Sequence, residues 1–319
     1  MNISIIGGGL CGIFAAKTLR DYGHNPIIYE KSRSIGGRMA TRRIGKGKAD
    51  HGAQFFTVRS KELQGFTEEW LAKGWIKHWF GDDYPRYASV DGMNPFVKKL
   101  AHDLSVQLNE RIVSIEENSS TLTLNSDVSS PFSTDVALIT APVPQALKLL
   151  QAPSMLNKKE EEQLSSSQFN PAFVGLVSLK KPVQIGNKGI RAESLPHGVD
   201  KVISNDEKGI SETSILSIYM TGEWSYNRFG NQDTAVLKEL VESIYPHIFS
   251  TDNIDDIQLK RWRYAEATHV YRQPFLKLDN KPVYIAGDSF LSPEDKSGRT
   301  RIESAIISGI RVGEAIHIG

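Results

Sequence analysis

Cysteine is all but missing. The 319 residues contain one, Cys11, so the chain has neither a disulfide framework nor a thiolate metal cluster. An excess of charge of one sign is missing too. The 38 Lys and Arg against 37 Asp and Glu leave a net +1, which gives no footprint for nucleic acid or an anionic membrane. No apolar run approaches the roughly 20 residues that a membrane span needs. The first residues carry no basic n-region or cleavage site, and the expected location is cytoplasmic. Asn2-Ile3-Ser4 and Asn118-Ser119-Ser120 match the glycosylation pattern but read as chance without an export signal. The eight histidines show no ligand spacing on one helix, so no metal is expected. G-x-S-x-G, a phosphate-loop lysine and internal repeats are absent. What remains has ordinary globular composition, 39% hydrophobic and 24% charged, and suits one large domain or two interleaved ones.

The first thirty residues carry the clearest pattern. Ile3-Ser4-Ile5-Ile6 is a short apolar run that reads as a buried strand. It leads into Gly7-Gly8-Gly9-Leu10-Cys11-Gly12, which fits G-x-G-x-x-G at Gly7, Gly9 and Gly12. Helical patterning continues from Phe14 to Asp21, Pro26 to Tyr29 is a second strand, and Glu30 closes it 18 positions after Gly12. Each part has a task. Gly7 makes the tight turn, Gly9 lets backbone approach a pyrophosphate, and Gly12 lets helix and strand pack closely. The helix N-terminus offers N–H groups and partial positive charge to phosphates. Glu30 can accept hydrogen bonds from ribose hydroxyls. Cys11 falls in the glycine turn, where a packed free thiol is the simplest reading. Gly36-Gly37-Arg38 is a second glycine pair, suited to the same pyrophosphate, with Arg38 supplying charge-assisted hydrogen bonds.

Further along, Lys61 to Lys73 reads as an amphipathic helix with Leu63, Phe66, Trp70 and Leu71 on one face. The aromatics Trp75, Trp79, Phe80, Tyr84 and Tyr87 are expected in a core by default, with a few of them open to lining a pocket. Pro95 to Leu104 reads as helix, and Val106 to Glu116 as one alternating strand. Leu122 to Phe132 is a hairpin arm, and Asp135 to Pro142 a buried strand ending in small residues. Lys158 to Gln168 is a solvated helix, Phe169 to Leu179 and Ser214 to Met220 are strands, and Thr234 to Tyr245 is an amphipathic helix. A strand starts at Ile257 and runs to Arg261-Trp262-Arg263-Tyr264. Pro282 to Asp288 is a last buried strand, followed by a helix from Arg301 to Ile316.

The combination of Gly7-x-Gly9-x-x-Gly12, Glu30, Gly36-Gly37-Arg38-Met39 and Asp50-x-Gly52-Ala53-Gln54 resembles the FAD-dependent amine oxidase superfamily, and within it the renalase-like members most. The resemblance covers essentially the whole chain. It implies an α/β fold in which a Rossmann-type, glutathione-reductase-like FAD domain is interleaved with a mixed-sheet α+β substrate domain. The expected FAD domain is 1–61, 92–143 and 277–319, and the substrate domain 62–91 and 144–276. The implied cofactor contacts are Gly7, Gly9, Cys11, Gly12, Glu30, Lys31, Gly37, Arg38, Met39, Gln54, Phe55, Val113 (by its backbone, at the adenine), Ala141, Gly287, Asp288, Arg301 and Ile302. Asp288 would meet the ribityl–pyrophosphate, and the N–H groups around Ile302 the flavin pyrimidine carbonyl, where charge grows on reduction. Trp262, Tyr264 and Tyr219 are pocket candidates, and each could equally be core.

Flavin is then the only reactive centre, and the protein's task is to position a substrate C–H over it. The resemblance implies oxidation of dihydronicotinamide dinucleotide isomers, with dioxygen as second substrate and peroxide as product. An amine or amino-acid oxidase or desaturase stays open, as does a non-redox flavoprotein, because fold alone does not choose. No lysine occurs in Pro171-Ala172-Phe173-Val174-Gly175-Leu176, the stretch where many amine oxidases of this superfamily carry one; Lys180 is the first.

No cysteine follows Cys11, so the C-terminal third has no thiol to link a flavin. Acid or heat precipitation is therefore expected to leave a yellow supernatant. Colour retained in the washed pellet would contradict noncovalent binding.

Overall fold

The computed structural model describes residues 1–118 and 121–319. Ser119 and Ser120 of the second glycosylation pattern lie outside the described residues. The elements in chain order are β1 (Ile3–Ile6), α1 (Leu10–Asp21), β2 (Ile27–Glu30), β3 (Thr41–Ile44), β4 (Gly47–Asp50), α2 (Lys61–Ala72), β5 (Ile76–Phe80), β6 (Arg86–Ser89) and α3 (Met93–Leu100). Next come β7 (Ser105–Leu108), β8 (Ile112–Asn118), β9 (Thr121–Ser126), β10 (Phe132–Thr134), β11 (Val136–Ile139), α4 (Val143–Leu149) and α5 (Lys158–Ser165). The rest are β12 (Phe169–Leu179), β13 (Ile190–Arg191), β14 (Val199–Ser204), β15 (Ile215–Met220), α6 (Gly222–Arg228), α7 (Asp233–Ile244), β16 (Ile254–Ala267), β17 (Phe275–Lys277), β18 (Val283–Ala286) and α8 (Ile302–Ile318). Among the described residues no helix is long and apolar enough to cross a membrane.

The chain forms two compact units. The first comprises Met1–Gly37, Val97–Gln168 and Ala267–Gly319. Its six-stranded sheet has the order β17-β18-β11-β1-β2-β7, parallel except for the antiparallel edge strand β17. The continuous apolar runs of β1, β11 and β18 are what a sheet covered on both faces requires. Ile6, Ala137, Ile139, Val283 and Ile285 join Ile115, Leu122 and Leu124 of the β8-β9-β10 sheet in one core, with Val143, Ala146 and Leu149 of α4. Helices α1 and α8 pack together closely, as glycine allows. A Cβ at Gly309 would stand 2.4 Å from the Cys11 carbonyl oxygen, and one at Gly313 would stand 2.9 Å from Thr18 Cβ.

The second unit comprises Arg38–Phe96 and Phe169–Glu266. Its five-stranded sheet has the order β13-β14-β15-β12-β16. The period-2 alternation of side chains separates two cores. Phe173, Val177, Leu216 and Ile218 face α7 through Val236, Leu240 and Ile244. Val174, Leu176, Ile203, Ile215 and Tyr219 face Ile44 and Ala49 of the β3-β4 hairpin, with Trp79 and Ala88.

The unit boundaries differ from the expected domain limits. Residues 38–61 fall with the second unit because Ile44 and Ala49 bury in its core. Residues 144–168 and 267–276 fall with the first because Ala146, Leu149, Leu164 and Tyr271 bury there. The expected strand Val106 to Glu116 is two, β7 and β8, in different sheets, broken where Asn109 takes φ 56°. The expected helix after Pro95 begins earlier, at Met93, and ends at Leu100. Leu71 and Tyr84 are exposed, not core; α2 buries Leu63, Thr67 and Trp70, spaced i, i+4, i+7, and Leu71 falls past that stripe. In α5, Glu160 is buried, not solvated: it caps its own helix at Asn157 and accepts from Asp279 N–H.

Because backbone, not a yielding side chain, opposes a Cβ at Gly309, Gly309→Ala is expected to destabilise by about 1–3 kcal/mol. Gly65, in α2 with open space around it, is the control: Gly65→Ala is expected to stabilise by about 0.5–1 kcal/mol. Thermal unfolding of both variants checks the contrast, and equal shifts would remove the packing argument.

Candidate functional site

The turn from β1 to α1 is shaped by what glycine permits. Gly7 sits at φ +118°, and its N–H donates to Tyr29 O across to β2 (2.9 Å). A Cβ at Gly12 would stand 2.2 Å from Gly7 O, so helix and strand meet backbone to backbone. A Cβ at Gly9, the N-cap of α1, would meet nothing within 4 Å: the space above it is open. The N–H groups of Leu10, Cys11 and Gly12 have no acceptor within the helix. No acidic residue stands in the first turn to absorb the positive end of the helix dipole. Gly37 closes on the other side, at φ +51°, where its Cβ would be 3.7 Å from Gly9 Cα. A bare backbone cradle with free donors and no counter-charge fits a dinucleotide pyrophosphate.

Glu30, at the end of β2, is buried. Its carboxylate accepts from Gly8 N–H (2.8 Å) and Ser32 N–H (2.8 Å), so it fixes the glycine turn itself and keeps lone pairs for a ribose. Lys31 is exposed, 3.4 Å from Gln145 Oε1. Ala141 follows β11. Gly287 and Asp288 follow β18, and Ser304 near the start of α8 reaches back to Asp288 O (3.0 Å) while accepting from Arg301 N–H (2.8 Å). Gly7, Gly9, Gly12, Glu30, Gly37, Ala141, Gly287, Asp288 and Ile302 thus gather at the carboxyl ends of the parallel strands, where open α/β sheets take ligands.

Three candidates of the first unit are placed differently from expectation. Cys11 lies within α1, not the turn, and its thiol points at Ser308 Oγ of α8 (3.8 Å). Burial pushes that thiol up to about 12, so it is inert; only the Cys11 N–H is available to a phosphate. Val113 is half-exposed on β8, outside the parallel sheet. The Arg301 guanidinium is taken up by Asp295 (2.7 Å) and Glu303 (2.8 Å), with only its Nε left unpartnered. Arg301 therefore anchors the start of α8 more than it reaches outward.

In the second unit the Asp50-His51-Gly52-Ala53-Gln54 loop is held by a buried ion pair. Lys208 Nζ donates to Asp50 Oδ2 (2.7 Å) and Gln54 Oε1 (2.8 Å), with both charged side chains fully buried. Asp50 Oδ1 also accepts from Met93 N–H (2.9 Å), and Asp50 O accepts from Ser217 (2.7 Å) and Gln54 (2.6 Å). Tyr219 donates to Gly52 O (2.7 Å). Burial pushes the Lys208 ammonium below the ordinary lysine value, and the Asp50 carboxylate opposes that shift. The Gln54 side chain is spent inside this network, so any cofactor contact from it comes through backbone. Phe55 packs edge-on to Trp79 and Phe80, Met39 is buried, and Arg38 donates to Ala265 O (3.1 Å). Trp262 donates to His51 O (2.7 Å) and stacks on the His51 ring at 5.4 Å, while Tyr264 meets Phe169 edge-on. Burial, then the charges of Lys260 and Arg42, hold the His51 imidazole down to about 4. Lys208 is the residue that sequence reasoning missed: its partner Asp50 is 158 positions away, and no local pattern joins them.

Residues 5–70 match the NAD(P)-binding Rossmann-like domain, and residues 58–317 match the flavin containing amine oxidoreductase family. Renalase of Mus musculus is 26% identical over 201 residues, which are 54% of this chain and 56% of renalase. The chain thus matches little more than half the length of that relative. A solved structure from Exiguobacterium sp. 255-15, provisionally assigned as a protoporphyrinogen oxidase, has a TM-score of 0.68 at 11% identity, covering 99% of this chain and 98% of its own. A triple mutant of putrescine oxidase with redesigned cofactor binding has a TM-score of 0.70 at 12% identity, with the same coverage. At these identities the likeness is one of fold.

Glu30→Ala and Asp288→Ala are each expected to lower the FAD content of the purified protein. Losing a charged hydrogen-bond partner costs on the order of 2–5 kcal/mol, tens to thousands-fold in affinity. Glu30→Gln separates the two roles of Glu30, since it keeps one acceptor for the turn. Unchanged flavin content in all three variants would sink the assignment.

Proposed function

The chain belongs to the flavin containing amine oxidoreductase family, an FAD-dependent oxidoreductase, and from that premise we propose that it oxidises dihydronicotinamide dinucleotide isomers whose hydride sits at an abnormal ring position. FAD, when bound, would supply the hydride acceptor and the route by which the electron pair reaches dioxygen as peroxide. Cradling the cofactor is the task of Gly7, Gly9, Gly12, Glu30, Gly37 and Asp288. Trp262, with its indole N–H fixed on His51 O, offers a flat wall for a ring.

The observation that carries the reading is that β12 and the Asp50–Gln54 loop offer no usable base. An amine must shed a proton before its lone pair can help expel a hydride, so a base or ordered water serves it. Strand β12 has no lysine between Pro171 and Leu176, and Lys180 is exposed with its Nζ on Asp252 O (2.8 Å). Lys208 is buried but its ammonium is committed to Asp50 and Gln54. His51, held near 4, is too weak a base to keep a proton at neutral pH. A dihydropyridine needs none of these. Its ring nitrogen already carries the lone pair, it gains aromaticity as the hydride leaves, and positioning supplies the catalysis.

Chemically reduced NAD, which contains the 2- and 6-dihydro isomers, is expected to bleach the flavin rapidly under anaerobic mixing. A panel of mono- and polyamines is expected to leave it oxidised. Rapid reduction by an amine with none by the dihydronicotinamides would reverse the assignment, and no reduction by any of them would point to a non-redox flavoprotein.

A further inference from the structure

The β3-β4 register pairs Arg42 with Ala49, and His51 N–H continues the ladder to Ala40 O (3.0 Å). Arg42, Ala49 and His51 therefore share one face of the hairpin, the face that buries Ala49 against the sheet. On β16, Lys260 and Trp262 are two apart and share a face; Lys260 Nζ lies on Gln258 Oε1 (3.1 Å), two residues earlier again. Arg261 and Arg263 point the other way, over Phe173 and Phe229. Trp262 stacks on His51, so the two faces meet and bring Arg42, Lys260 and His51 together.

The cluster holds two cationic side chains, Arg42, which is exposed, and Lys260, with Asp256 on the same strand face four residues before Lys260. Among the described residues neither Arg42 nor Lys260 is in an ion pair. Of the carboxylates whose charge reaches the cluster, Asp50 is ion-paired with Lys208 and Asp233 with Arg261, while Asp256 accepts from Ile257 N–H and keeps its charge. Burial first, and then the Arg42 charge, hold the Lys260 ammonium below the ordinary lysine value, and burial with the Lys260 and Arg42 charges does the same to the His51 imidazole. His51 Nδ1 is buried with no hydrogen-bond partner. Two cations outside any salt bridge, beside a buried ring nitrogen with no hydrogen-bond partner, would be stabilised by an external anion. The guanidinium fork of Arg42 matches phosphate geometry, and a flat indole beside a phosphate site is what a nucleotide presents itself to.

We propose that Arg42, Lys260 and His51 form an anion subsite that takes the phosphate groups of the substrate, which rests on the dinucleotide reading above. The subsite lies outside every residue assigned to the cofactor.

The test uses FAD-loaded protein, whose own pyrophosphate site is filled, and inorganic pyrophosphate as probe, read from the His51 ring resonances by NMR. Saturable binding that raises the His51 pKa from about 4 is expected, because the anion offsets Arg42 and Lys260. Arg42→Gln and Lys260→Gln are each expected to weaken it about tenfold, as losing one charge-assisted hydrogen bond does. Neither side chain holds an ion pair, and circular dichroism checks that both variants fold. No saturable response, unaltered affinity in both variants, or equal affinity for succinate would overturn the subsite. In turnover, both variants are expected to raise KM for 6-dihydro-NAD at unchanged kcat, while leaving 6-dihydronicotinamide riboside, which has no phosphate, unaffected. An equal effect on both substrates would also overturn it. Pyrophosphate binding as expected, with neither dihydronicotinamide oxidised, would refute the substrate reading and leave the phosphate subsite standing.

Discussion

The first unit depends on a backbone-to-backbone contact. Gly12 presses so near the Gly7 carbonyl that a methyl group there would lie 2.2 Å from its oxygen. Three things follow from that closeness. The start of α1 is drawn up against the end of β1, so the free N–H groups of the helix face the mouth of the turn. Glu30 can reach Gly8 from the neighbouring strand and lock the turn to β2. And α8 can lie along α1, with Gly309 and Gly313 where side chains would collide with Cys11 and Thr18. A larger residue at any of these glycines would meet backbone or Thr18 and push the helix off its neighbour.

The second unit is organised by charge. Lys208 and Asp50 are both without solvent contact. Such a pair is weak evidence for stability, because desolvation consumes most of the Coulomb attraction. Its use here is directional. Asp50 has its backbone N–H, its carbonyl and its carboxylate all occupied, by Asn205, by Gln54 and Ser217, and by Lys208, Met93 and Thr41. A loop tied at that many points has one conformation, and the loop is the one that presents His51 to Trp262. Removing one partner would strand a buried charge, at about 3–5 kcal/mol, and release the loop with it.

Local chemistry was legible in the sequence, and long-range pairing was not. The strand–turn–helix–strand–acid series reads directly because each part constrains its neighbour within thirty residues, and the structure keeps β1, α1, β2 and Glu30 in that order. The strand from Val106 to Glu116 misread because alternation continues through Asn109, while the break is a backbone turn that asparagine tolerates. The expected domain limits misplaced 38–61 because hairpin β3-β4 earns its place only by burying Ile44 and Ala49 against strands more than 120 positions on. Gln54 stood out by its motif, but the partners of its side chain did not, since nothing near it in sequence announces Lys208. Trp262 and Tyr219 could be core or pocket on sequence alone; both pack against the hairpin core and hydrogen-bond to the loop, Tyr219 buried and Trp262 only partly so.

A net charge of +1 describes the chain poorly as a guide to its ligands. It argues against a long polyanion, which needs an extended field of one sign. A small anion samples only a few ångströms, over which local composition decides and the rest is screened beyond about 8 Å in physiological salt. On the Trp262 face of β16, Lys260 stands with Arg42 and His51 and no ion-paired acid. On the opposite face Arg261 is matched by Asp233. The face that carries the indole also holds Asp256 and Glu266, and Asp256 draws on Lys260 without pairing with it, so the cation beside the ring stays out of a salt bridge. A small anion beside the indole would meet Arg42 and Lys260, two side chains that hold no salt bridge among the described residues.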